Sequence, residues 1–364
     1  MSIEMFAYLI GGFILLVIGA EVLVRGAARL AARFGISPLI IGLTVVAFGT
    51  SAPEMAVSTQ SAFMGQGDIA IGNVIGSNIF NVLVVLGLSA LIIPLVVSRQ
   101  LVRFDVPIMI AAGFLAWFLA MDGSYSRLDG LILLSCIIFY TGYLIVSSLR
   151  SGKAVEVDDE YSAAINPQRF ASLINLGYIL AGLALLVLGS NLLVSGAVSL
   201  AQALGLSELV IGLTIIAAGT SLPELATSLI AAWKGERDIA VGNIVGSNLF
   251  NLLAVLGLAG LASPENIAVA RSALEFDFPV MLAVMVACLP VFFAGYRINR
   301  WEGALFLGYY IAYTAYLIMQ SNGDSFANTF ADAMLGYVVP LTAITLLVIA
   351  TRAWRIQRGL PAEH

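Results

Sequence analysis

The sequence predicts an all-α integral membrane protein: two five-helix repeats of inverted topology forming a ten-helix core, followed by one extra C-terminal helix. Three observations predict it, namely an extreme apolar composition, a one-sided placement of basic residues and a duplicated pair of motifs. Of 364 residues, 60% are apolar and 11% charged, and the mean hydropathy is +0.99, far outside the range of a soluble domain. Apolar runs of about 20 residues, enough to cross a hydrocarbon core, recur along the whole chain.

Eleven spans are expected, at 5–28, 38–64, 69–97, 104–121, 128–149, 172–201, 208–233, 239–262, 273–295, 301–320 and 334–351. The first follows Met-Ser-Ile-Glu without the positive leader of a signal peptide, and its apolar run continues to Val24 with only Glu21 interrupting. With the N-terminus outside, 15 of the 17 Lys and Arg fall at the inner gaps and only Arg127 and Arg271 at the outer ones. The positive-inside rule then sets the N-terminus out and the C-terminus in, as a multi-pass protein of the cell inner or plasma membrane. A wrong span count would scramble the bias from the error onward, so the split supports the count.

The motifs set the organisation. Gly42–Glu54 aligns with Gly212–Glu224 at an offset of 170, nine of 13 positions being identical; Asp68–Asn81 aligns with Asp238–Asn251 at the same offset, ten of 14 being identical. Each repeat holds an odd number of spans, so the second enters the membrane from the opposite side. The expected units are a first repeat at 1–150, a cytoplasmic linker at 151–171, a second repeat at 172–320, and the extra helix with a basic tail at 321–364. Inverted repeats with interrupted helices at their interface are the architecture of secondary transporters.

Glu54 and Glu224 fall near the middle of their spans, where an ionised side chain is costly and functional, and no Lys or Arg lies at comparable depth. Each follows Gly-Thr-Ser-x-Pro. Pro53 and Pro223 lack the N–H that the carbonyls of Gly49 and Gly219 need, so the helix breaks there, and the hydroxyls of Thr50, Ser51, Thr220 and Ser221 stand beside each carboxylate. In the next span Ser77 and Asn81 share a helix face, as do Ser247 and Asn251. Asn73, Asn78, Asn243 and Asn248 are expected to bond across helices rather than to ions. The ligand inventory is all oxygen, which suits hard cations such as Ca²⁺ or Na⁺ and excludes zinc and copper. Two carboxylates carry a charge that one Ca²⁺ or two Na⁺ would neutralise, so the ions compete for one site, and protons compete with both.

Other features take plainer readings. Gly12, Gly19 and Gly26, with Gly182, Gly189 and Gly196, form two stripes spaced by seven that serve either tight packing or sliding of spans one and six. Asp105 and Asp277, each two residues ahead of a proline, are read as helix caps, and Glu156–Glu160 as a solvated acidic linker. Cys136 and Cys288 sit in apolar runs with no CxxC spacing and are read as packing residues; the one histidine is His364. No basic block suits nucleic acid, no cofactor is expected, and the oligomeric state is not readable.

The paired motifs ending at Glu54 and Asn81, and at Glu224 and Asn251, resemble the two alpha-repeats of the cation/calcium antiporter superfamily, and within it the prokaryotic sodium/calcium exchangers. The resemblance covers spans one to ten. It implies Ca²⁺/Na⁺ antiport, with calcium held by Glu54, Glu224 and the carbonyls of Thr50 and Thr220. It further implies that sodium uses the same glutamates, Ser51, Ser77, Ser221, Ser247 and the carbonyls of Ala47 and Ala217, and that Asn81 and Asn251 line a middle site. Some members carry Asp where this chain has Asn251, and that carboxylate goes with potassium dependence, so potassium co-transport is not expected. The alternatives are a Ca²⁺/H⁺ antiporter, a passive channel and an intramembrane hydrolase with the two glutamates as acid and base. Near-identical surroundings for the two glutamates argue against the hydrolase, which needs unequal partners.

Overall fold

A run of apolar residues longer than a bilayer is thick must satisfy its backbone internally, and most of the described residues do so as helix. The computed structural model describes residues 3–151, 171–203 and 217–357. The acidic linker segment, the expected start of the seventh span at 208–216 and the tail from 358 lie outside the described residues.

The helices are α1 (Ile3–Phe34), α2 (Pro38–Thr50) and α3 (Ala52–Phe63), α4 (Gly67–Ile92), α5 (Leu101–Leu119), α6 (Arg127–Ser151), α7 (Ala171–Ala203), α8 (Leu222–Trp233), α9 (Arg237–Ala262), α10 (Ala273–Phe293), α11 (Arg300–Ser321) and α12 (Phe326–Ala353). Among the described residues eight are long and apolar enough to cross a membrane, and α2 with α3, bent by 47° at Ser51, makes a ninth. In α11 four tyrosines, at 309, 310, 313 and 316, lower the hydropathy of an otherwise long helix. The span expected at 69–97 ends as helix at Ile92, because the chain continues into a strand at Leu95–Val96. The last helix begins eight residues before the expected 334.

Two short antiparallel strand pairs tie early chain to late chain: Leu95–Val96 pairs with Arg297–Ile298, and Ser124–Tyr125 with Ile267–Ala268. Widened π turns at Leu101–Asp105 and Ala273–Asp277 precede Pro107 and Pro279, whose missing N–H leaves an unpartnered carbonyl one turn earlier that the wider turn accommodates. Asp105 and Asp277 do not cap these helices as expected. Each instead accepts a hydroxyl from a neighbouring helix, Tyr140 to the buried Asp105 at 2.9 Å and Tyr313 to the half-buried Asp277 at 3.1 Å, because the residues before each are already helical and a carboxylate shielded from water takes the nearest side-chain donor.

Burial sorts the helices. In the central apolar stretches of α4 and α9, 78% and 89% of residues are buried, against 33% in both α1 and α7. These last two pack antiparallel along their glycine stripes. A Cβ on Gly12 would lie 2.8 Å from the Gly189 carbonyl, and one on Gly19 would lie 2.9 Å from that of Gly182. Even alanine would therefore force the helices apart, which makes the stripe a contact surface whether or not the pair slides. Glu21 on α1 bonds Lys234 at the end of α8 and Arg25 on its own helix, both at 2.8 Å. Cys136 and Cys288 are free thiols.

Candidate functional site

Each half of the chain delivers one broken helix and one polar helix to the centre. The break is local chemistry: Pro53 and Pro223 occupy the first turns of α3 and α8, so the preceding turn cannot close normally, and Ser51 and Ser221 sit there with backbone angles outside the helical region. Glu54 and Glu224 then emerge one residue after each proline, both with 0% exposure.

The two breaks are crossed. The Ser221 hydroxyl donates to Glu54 Oε1 at 2.9 Å, and the Ser51 hydroxyl donates to Glu224 Oε1 at 3.2 Å. Each serine precedes one glutamate in the chain yet bonds the other, so the two carboxylates of distant sequence share one small volume. The threonines cross as well: Thr50 donates to Asn243 Oδ1 at 3.1 Å and Thr220 to Asn73 Oδ1 at 3.2 Å. All four hydroxyl protons are thereby pointed at protein acceptors, which leaves oxygen lone pairs, and not protons, for a cation.

What is left unpaired carries the same message. Buried atoms without a hydrogen-bond partner include Glu54 Oε2, Glu224 Oε2, Ser77 Oγ and both amide atoms of Asn81 and Asn251. Buried polar atoms are nearly always satisfied, so these atoms remain available to a partner other than the protein. Among the described residues no ion pair reaches either glutamate; Arg25 and Lys234 pair with Glu21, and Arg271 with Glu275. Two buried carboxylates with no protein counter-charge among the described residues are neutral only when protonated or when a cation lies beside them.

The structure brings together Glu54, Glu224, Thr50, Ser51, Thr220 and Ser221 through the bonds above. Ser247 joins them at 3.3 Å from the Thr50 hydroxyl. Ser77, Asn81 and Asn251 are buried on α4 and α9, with Asn81 and Asn251 inside widened π turns at Asn81–Leu86 and Phe250–Val255, a feature frequent at functional sites. The Ala47 carbonyl already accepts the Ser51 N–H at 3.0 Å and lies 3.4 Å from the Thr50 hydroxyl oxygen, whose proton goes to Asn243. Ala217 begins the short helical turn Ala217–Gly219. Asn78 and Asn248 donate outward from the site, to the Val74 carbonyl at 2.7 Å and to Met109 Sδ at 3.5 Å.

Sequence reasoning missed three serines. Ser58 and Ser228 accept the amides of Asn73 at 2.9 Å and Asn243 at 3.0 Å; their signal was a serine four residues after each glutamate, repeated at the same offset. Ser190 on α7 donates to the Gly219 carbonyl at 2.6 Å, the very group that Pro223 leaves without a donor. At the offset of 170 its counterpart is Ala20, so no repeat could flag it.

Comparison with known proteins agrees in extent. Residues 4–146 and 174–319 match the family model described as sodium/calcium exchanger protein, leaving α12 outside the match. The chain is 38% identical over 319 residues to the inner membrane protein YrbG of Escherichia coli K12, covering 85% of this chain and 96% of that one. It is 33% identical over 346 residues to the sodium/calcium exchanger MaX1 of Methanosarcina acetivorans, covering 86% and 98%. Among solved structures, the sodium-calcium exchanger NCX_Mj, from crystals soaked with Na⁺ and Sr²⁺, superimposes with a TM-score of 0.73 at 34% identity over 86% of this chain and 99% of that one.

Proposed function

The chain belongs to the sodium/calcium exchanger family, and from that membership we propose that it moves Ca²⁺ across the cell membrane in exchange for Na⁺, at one shared site built on Glu54 and Glu224. It is a multi-pass membrane antiporter of the cation/calcium class and not an enzyme. The observation that carries the finer reading is the crossed pair of wholly buried carboxylates. Each accepts one serine from the other half, and each keeps one oxygen without a donor.

Coupling follows from charge. A doubly negative cage in a low-dielectric interior is stable when filled, either by one divalent ion or by two or more monovalent ones, so release of one kind awaits arrival of the other. Calcium would take Glu54, Glu224 and the carbonyls of Thr50 and Thr220; sodium would use the same glutamates with Ser51, Ser77, Ser221, Ser247 and the carbonyls of Ala47 and Ala217, and Asn81 and Asn251 would line the middle site. In this reading the two halves are inverted repeats forming a ten-helix core, the N-terminus is outside, and α12 is a peripheral addition. Tight glycine packing of α1 on α7, both largely lipid-facing, supports a pair that moves as one unit against the buried α4 and α9. No resident cofactor is part of the scheme.

The test is radioactive calcium uptake into proteoliposomes under an outward sodium gradient and, separately, an outward proton gradient. Sodium-driven uptake that vanishes in Glu54→Gln and Glu224→Gln is the expected result. Uptake driven by protons alone would make the protein a Ca²⁺/H⁺ antiporter, and uptake persisting without any counter-ion would make it a channel.

A further inference from the structure

Asn73, Ser77 and Asn81 are spaced by four along α4, as Asn243, Ser247 and Asn251 are along α9, so each trio lines one helix face. The outer members of the two faces are unlike the rest of the site: where Asn81 and Asn251 have both amide atoms unpartnered, Asn73 and Asn243 have theirs engaged at both ends. Asn73 Oδ1 takes the hydroxyl proton of Thr220 at 3.2 Å while its Nδ2 donates to Ser58 Oγ at 2.9 Å and, more weakly, to the Glu54 carbonyl at 3.4 Å. Asn243 Oδ1 takes the proton of Thr50 at 3.1 Å while its Nδ2 donates to Ser228 Oγ at 3.0 Å. In both cases the amide belongs to one half of the chain, the serine to the same half, and the threonine to the other.

Two relays therefore run in opposite senses, Thr220 to Asn73 to Ser58 and Thr50 to Asn243 to Ser228. An amide suits this role because it offers an acceptor and a donor on one rigid plane; aspartate would lose the donor and leucine both. Each threonine sits immediately before the break, between a glycine and the serine that bonds the opposite glutamate; Thr50 ends its helical segment, and Ser51 and Ser221 depart from helical backbone angles.

We propose that Asn73 and Asn243 are positioning residues: each clamps the threonine at the helix break of the opposite half to a serine of its own half, so that the two half-sites hold one another's threonine oxygens in coordinating geometry. The inference rests on the exchanger reading above. It assigns these asparagines no contact with the cation, and it makes the ion that relies on Thr50 and Thr220 the one that suffers when a clamp is cut.

The experiment measures calcium uptake by proteoliposomes containing the full chain with Thr220→Val, Thr50→Val, Asn73→Ala, Asn243→Ala and the pairs Asn73→Ala with Thr220→Val and Asn243→Ala with Thr50→Val. The valines are isosteric with threonine and keep the backbone carbonyl, so they test the clamp even where an alanine fails to fold. Each single variant should raise the KM for calcium about five- to tenfold, the size of one net hydrogen bond, with the maximal rate and the concentration of sodium giving half-maximal exchange little changed. Each double variant should match its worse single, since both remove the same bond. Additive losses within a pair, a fall in maximal rate at constant KM, or no change in any variant would overturn the proposal. The wild type and Glu54→Gln run alongside separate the two ideas: if wild type shows no sodium-driven uptake, the exchanger reading fails, whereas active wild type with unaffected clamp variants sinks the clamp alone.

Discussion

The half-site around Thr50 and the half-site around Thr220 have nearly the same residues and different surroundings. Thr50 is fully buried and touches both Asn243 and Ser247, while Thr220 is half-buried and bonds Asn73, and Ser77, the counterpart of Ser247, has no hydrogen-bond partner. Behind the breaks the contrast repeats: Ser190 of α7 donates to the Gly219 carbonyl, whereas the corresponding position of α1 is Ala20. What is common to both halves is the crossed serine–glutamate pair, at 2.9 and 3.2 Å. Duplicated motifs thus specify nearly equal residues but not equal environments, because each copy packs against different neighbours.

The strongest attempt to break the comparison is to neutralise one carboxylate at a time. Glu54→Gln and Glu224→Gln should each reduce calcium exchange at least about 100-fold, since either leaves a divalent ion half-neutralised in a buried cage. A large loss from one and a small loss from the other, in the same uptake assay, would show that the glutamates are not partners. Lowering the pH tests them together. A proton cancels the charge that draws the cation, so exchange rate at fixed subsaturating calcium should fall several-fold from about pH 8 to about pH 5.5; a flat profile would mean the carboxylates do not bind the ion in ionised form.

Smaller effects sharpen the asymmetry. Ser77→Ala removes a hydroxyl with no partner, so it should weaken sodium activation while leaving the melting temperature in sodium-free buffer unchanged or slightly higher. Ser247→Ala removes a hydroxyl in contact with Thr50 and should weaken sodium activation and also lower stability by about 1 kcal/mol. Equal melting behaviour of the two would erase the distinction between the half-sites. The smallest change is expected of Ser190→Ala, which strips one donor from the Gly219 carbonyl and should alter exchange by about fivefold or less. Installing the missing hydroxyl with Ala20→Ser should not reproduce that change in reverse.

Much of this was legible before any coordinates. The spans follow from the need to satisfy every backbone group in lipid, and the pairing of Glu54 with Glu224 follows from two motifs at a fixed offset. Span ends were less legible: residues 93–97 look apolar enough for helix but leave it to pair with Arg297–Ile298, a contact 200 residues away in the chain. Asp105 and Asp277 read as caps because their position before a proline is a local signal, yet Tyr140 and Tyr313 on other helices take them, and no local pattern announces which helix will lie alongside.

Residue order alone carries the membrane-spanning helical class, the two breaks at Pro53 and Pro223, and the Thr, Ser and Glu side chains set around them, because these depend on hydropathy, on a missing N–H and on side-chain chemistry. Only the tertiary structure decided that each serine would bond the glutamate of the other half, that two asparagines would be consumed as clamps while two others stayed free, and that Ser190 would reach Gly219. The reason is physical: a hydrogen bond goes to whichever donor packing brings within about 3 Å, and helices distant in sequence meet only when the bundle closes.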